Sequence, residues 1–144
     1  MKKAFGTLPN GQQATLYTIS AGGITARVTD YGATLVSLLV PDKEGNVADV
    51  VLGSDDVNAY ATSEGSLGST VGRNCNRVGN ASFPIGEKVY HMTPNEGPHN
   101  LHSGPSGYSH RLWELEYHRE SAVSFRLERP HMDQGFPGNA GTRA

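Results

Sequence analysis

The sequence predicts an all-β protein, an antiparallel β-sandwich or meander with one short helix near residues 54–62. Three observations carry this. Apolar residues alternate with polar ones at a period of two, as in Val123, Phe125 and Leu127 against Ser124, Arg126 and Glu128. Trp113, Leu115 and Tyr117 alternate with Glu114, Glu116 and His118 in the same way. Glycine and proline recur at short intervals, which suits strands joined by tight turns.

The elements follow in order. Residues 14–19, 24–28 and 34–40 are rich in β-branched and other apolar side chains and read as strands. Pro41-Asp42-Lys43-Glu44-Gly45-Asn46 reads as a turn, and residues 47–52 as a further strand closed by Gly53. The helix would take Ser54 as its cap, with Asp55 and Asp56 at the positive end of its dipole. A hairpin is expected between Arg77 and Asn100. The two runs around Trp113 and Phe125 form an antiparallel pair turning near Glu120-Ser121, with both apolar sets on one buried face. Glu96 to His110 reads as a long loop of the kind that carries function.

Composition narrows the function classes. At 144 residues a single domain over 1–144 is expected. Such a chain buries roughly 68–70 % of its unfolded surface, enough for a core. A net charge of -2 argues against a nucleic-acid partner, which requires a basic face. No apolar run is long enough for a membrane span. Met1-Lys2-Lys3 is followed at once by Gly6, Thr7 and Pro9, so no apolar leader core forms. One cysteine, Cys75, permits no internal disulfide. The expected compartment is the cytoplasm.

The chemistry-bearing positions cluster in residues 72–104. Asn76 both donates and accepts hydrogen bonds, Arg77 supplies a rigid fork of donors, and His102 can do either. That set suits sugar hydroxyls, and neighbouring glycines permit close backbone approach. The plain readings are a surface arginine flanking a strand and a loop histidine bonded to backbone. Asn76 and Arg77 are adjacent, so a regular strand would point them to opposite faces; sharing a site requires a bend. His91, His99, His102 and His110 invite a metal reading, but no His-x-His pair is present, so no metal is expected. Cys75 reads as structural. Trp113 reads as core and Phe136 as a turn anchor, while Tyr108 fits equally a ligand-side aromatic or a loop anchor.

Five segments, in order, resemble the N-terminal portion of the aldose 1-epimerase (galactose mutarotase) family. They are Asp30-Tyr31-Gly32-Ala33-Thr34-Leu35, Gly72-Arg73-Asn74-Cys75-Asn76-Arg77-Val78, Asn100-Leu101-His102-Ser103-Gly104, Gly107-Tyr108 before Arg111-Leu112-Trp113, and Asp133-Gln134-Gly135-Phe136-Pro137-Gly138-Asn139. The resemblance implies a galactose-mutarotase-like supersandwich that interconverts the α and β anomers of free hexoses, with no cofactor. It implies that Asn76, Arg77 and His102 bind the sugar. The family's catalytic histidine and glutamate would lie beyond Ala144, leaving His102 as a possible accessory acid. Residues 140–144 are expected not to continue a strand, as in a truncated domain. A partial sandwich would expose strand edges and suit a homodimer. The alternative functions are a non-catalytic carbohydrate-binding remnant, a metal-binding β protein built on the histidines, and a fragment with no function.

Overall fold

The structure is a computed structural model and describes residues 1–63 and 65–144. Five strands form the central sheet in sequential order: β1 (Lys2–Thr7), β2 (Gln13–Ala21), β3 (Ile24–Thr29), β4 (Thr34–Pro41) and β5 (Val47–Asp49). Every pairing is antiparallel. Helix α1 (Val57–Ala61) follows. A two-residue ladder joins β6 (Arg77–Val78) to β9 (Asn100–Leu101), and between them lies a hairpin of β7 (Ser82–Ile85) and β8 (Lys88–His91). The chain ends in a three-stranded sheet of β10 (Glu114–His118), β11 (Val123–Arg129) and β12 (Ala140–Arg143).

The central sheet is buried on both sides because consecutive side chains of a strand face opposite ways. Ala14 and Leu16 join Phe5, Leu8, Tyr31 and Val36 on one face, where Val57 and Tyr60 of α1 cover them. Tyr17 points the other way and packs with Ala33, Tyr108, Trp113, Phe125 and Leu127. Tyr17 and Phe125 meet edge-on at 5.3 Å between ring centroids. A third, smaller cluster of Ala81, Met92 and Phe136 closes the base of the β7–β8 hairpin. Phe136 is thus the turn anchor its sequence context implied.

Several expectations are revised. Strand β1 carries no clear alternation, yet it completes the sheet and buries Phe5 at a bulge between Ala4 and Gly6. The helix is capped by Asp56, not Ser54: the Asp56 carboxylate accepts from the Asn58 N–H at 2.6 Å, while the Ser54 N–H donates to the Tyr60 hydroxyl. The strand expected over residues 47–52 ends at Asp49. Its carboxylate accepts from the Leu38 and Val51 N–H groups, which turns the chain away and leaves Val50 and Leu52 exposed. The turn before it forms as expected, with the Asp42 carboxylate accepting from the N–H groups of Glu44 and Asn46.

The expected apolar face of Trp113, Leu115 and Tyr117 also breaks up. Trp113 is buried, but Leu115 and Tyr117 are 40% and 45% exposed. Strand β10 is the outer neighbour of β11, and a register shift between Leu115 and Tyr117 interrupts the alternation. Residues 140–143 do form a strand, β12. Backbone pairing needs no apolar side chain, and Ala144 exchanges both hydrogen bonds with Phe125.

Candidate functional site

The β6–β9 ladder decides the geometry of the site. Arg77 lies opposite Leu101, so the next pair outward is Asn76 and His102. The His102 N–H donates to the Asn76 carbonyl at 3.2 Å. The Asn76 N–H donates to His102 Nδ1 at 3.0 Å. Both residues are left-handed, with φ of 59° and 53°. Asparagine and histidine tolerate that region better than most residues. This is the bend that brings Asn76, Arg77 and His102 together. With Nδ1 accepting, the neutral imidazole carries its proton on Nε2, where it is a donor.

The side-chain pattern continues from there. The Asn76 side-chain oxygen accepts from the Arg77 N–H at 2.9 Å and from Arg77 Nη1 at 3.2 Å. Arg77 in turn donates from Nε and Nη2 to the two oxygens of Glu96, at 2.5 and 2.6 Å. The bond from Arg77 holds the Glu96 carboxyl below its usual range, and the Arg77 charge adds to it. Glu96 sits on a tight turn closed by the His99 N–H donating to the Glu96 carbonyl. Beside it, Asn95 brackets Leu101: its side-chain oxygen accepts from the Leu101 N–H, and its Nδ2 donates to the Leu101 carbonyl. The loop before β9 therefore buttresses the segment that carries His102.

A solvent-open cavity of about 620 Å³ lies beside this network. Asn95, Glu96, Leu101, His102, Ser109 and His110 form part of its wall. That volume falls in the range of small-molecule pockets. Asn76 and Arg77 are not among its wall residues and bond to two that are, His102 and Glu96.

The other sequence candidates do different work. Tyr108 is buried, stacks edge-on against Trp113 at 5.7 Å and accepts from the Thr142 hydroxyl, so it is a framework residue. A Cβ on Gly72 would meet the Tyr108 ring at 2.3 Å. Here glycine admits an aromatic ring, where sequence reasoning expected it to admit a ligand. Cys75 is exposed, not structural. His99 Nδ1 accepts from the Asn80 N–H, and His110 Nδ1 bonds the Ser109 hydroxyl. Among the described residues no three His, Cys, Asp or Glu side chains converge as a metal site.

Sequence reasoning missed Glu96, Asn95 and the role of Arg73. Arg73 donates to the carbonyls of Arg129, Pro130, Phe136, Pro137 and Gly138, tying down the loop before β12. The only advance signal for Glu96 is a carboxylate in the polar turn Asn95-Glu96-Gly97-Pro98, and nothing in that turn names its partner.

A profile of the aldose 1-epimerase family matches residues 15–144. The chain belongs to the aldose 1-epimerase family. It is 34% identical over 134 residues to the aldose 1-epimerase of Escherichia coli K12, covering 92% of this chain and 39% of that protein. To the galactose mutarotase of Mus musculus it is 31% identical over 138 residues, covering 95% and 40% respectively. The solved aldose epimerase homologue from C. elegans superposes with a TM-score of 0.83 at 41% identity, over 89% of this chain and 40% of that one. The galactose 1-epimerase of Lactobacillus acidophilus shares the fold with a TM-score of 0.81 at 23% identity. The chain thus spans about two fifths of the length of the relatives it matches. Among the described residues no helix is long and apolar enough to cross a membrane.

Proposed function

We propose that this chain is the sugar-holding portion of a mutarotase for free hexoses such as galactose or glucose. Asn76, Arg77 and His102 hold the hydroxyls and the ring oxygen. The observation that carries this reading is the reciprocal Asn76–His102 pairing, which aims a fixed Nε2 donor outward beside a guanidinium fork. Family membership supports the reaction proposed for the whole protein: ring opening, rotation about C1–C2, and closure on the other face. The reading sets the protein in the cytoplasm, which the exposed Cys75 thiol suits.

The catalytic acid and base are assigned outside these residues. Anomer exchange needs a base for the anomeric hydroxyl, and a well-placed general acid or base contributes roughly 10² to 10⁴ in rate. Glu96 is the one carboxylate on the cavity wall among the described residues, and its bond to Arg77 favours the ionised, engaged form. A carboxylate held this way is a poor proton acceptor. This observation favours the second reading, sugar binding without turnover, for the chain by itself.

Polarimetry of freshly dissolved α-galactose with the purified chain tests the division. We expect the rate of buffer alone, together with galactose-dependent NMR shifts at Asn76 and His102. Acceleration that Arg77→Ala abolishes would show that the chain carries its own acid and base. Absence of any galactose-dependent shift would remove the sugar-holding reading.

A further inference from the structure

Glu96 does more than sit near the site. Both of its oxygens meet Arg77, and it also lines the cavity beside His102. A guanidinium has five N–H groups. Nε and one Nη2 hydrogen face Glu96, and one Nη1 hydrogen faces Asn76. Two N–H groups are left for a ligand. The Glu96 carboxylate likewise keeps lone pairs that a hydroxyl can donate to.

We propose that Glu96 is a positioning residue for Arg77 and sets the charge preference of the site, favouring neutral sugars over sugar acids. The inference rests on the sugar-holding reading above and specifies its substrate class. A free guanidinium fork is the natural bidentate partner of a carboxylate or phosphate. Here Glu96 already occupies the Nε/Nη2 edge. An anionic sugar bound to the two remaining N–H groups would lie against the negative charge of Glu96. A neutral sugar meets no such cost. Its hydroxyls take the two remaining N–H groups and donate to the carboxylate. The ion pair is exposed enough that its value lies in orientation and selection rather than in fold stability.

The test uses the full chain, titrated by NMR with D-galactose and with D-galacturonate, which differs by a carboxylate at C6. Glu96→Gln keeps the shape and removes the charge. Glu87→Gln, exposed in the β7–β8 turn, controls for net charge. We expect the wild type to favour galactose and Glu96→Gln to move the galactose-to-galacturonate ratio toward the acid by about fivefold, as a unit charge at contact distance in water implies. The Arg77 Nε–H resonance should shift and exchange faster in Glu96→Gln only. If Glu96→Gln still binds galactose at an unchanged ratio, the role of Glu96 is overturned and the sugar-holding reading stands. If the wild type binds no galactose, both are overturned.

Discussion

Arg73 and Arg77 belong to one short motif, and the fold uses them in opposite ways. Arg73 points into the protein and donates to five backbone carbonyls of the loop from Arg129 to Gly138. Arg77 points outward, its side chain 57% exposed beside Glu96. Around Arg73 the neighbours are framework: Gly72 against the Tyr108 ring, and Tyr108 against Trp113. Around Arg77 they are Asn76, Glu96 and His102, all with polar atoms facing solvent or the cavity. The same side-chain chemistry serves cohesion where carbonyls surround it and recognition where its remaining donors face out. A motif is therefore not uniformly functional along its length.

This contrast makes graded predictions. Tyr108→Ala should be the most damaging, with a loss of about 4 kcal/mol by urea unfolding, because it empties a buried aromatic site shared by both sheets. Arg73→Ala should cost about 3 kcal/mol, since several charge-assisted bonds go and their carbonyls are left short of donors. Hydrogen exchange should quicken over the loop before β12 in that variant. If Arg73→Ala instead proved neutral, the division between the two arginines would fail. Arg77→Ala should change stability by no more than about 0.5 kcal/mol, as befits an exposed side chain, yet abolish galactose-dependent NMR shifts.

The smallest expected effect concerns the cavity wall. Burial holds the His110 imidazole below its ordinary range, although a bond to the Ser63 carbonyl pushes the other way. A folded value below the unfolded one means that the unfolded chain binds more protons at mildly acidic pH. The stabilisation is full above the ordinary histidine value of about 6.5 and is lost as pH falls through the lower folded value. The urea midpoint should therefore drop on acidification more steeply in the wild type than in His110→Gln. Parallel profiles would mean that His110 is not the group responsible.

The strands were legible where the chain alternates or is rich in β-branched and apolar residues. Residues 123–127 alternate and lie within β11, and the apolar-rich runs 14–19, 24–28 and 34–40 lie within β2, β3 and β4. The pattern misled at β10, because Leu115 and Tyr117 alternate correctly but belong to a bulged outer strand. It was silent at β1, which buries only Phe5, and at β12, where ladder hydrogen bonds rather than buried apolar side chains hold the strand. The helix was found near its place, but its cap was assigned two residues early because Ser54 and Asp56 are both competent caps and only the local turn chooses.

By itself the sequence determined the family, the antiparallel β architecture and the choice of Asn76, Arg77 and His102 as a cluster. These depend on residue types in order and on periodicities of one chain segment at a time. Only the tertiary structure decided that Asn76 and His102 exchange backbone and imidazole bonds, that Glu96 grips Arg77, and that Tyr108 serves the core. The first two are pairings between segments 26 and 19 residues apart, set by ladder register and left-handed backbone, and the third is packing against Tyr17 and Phe125 from distant strands; local composition encodes none of these.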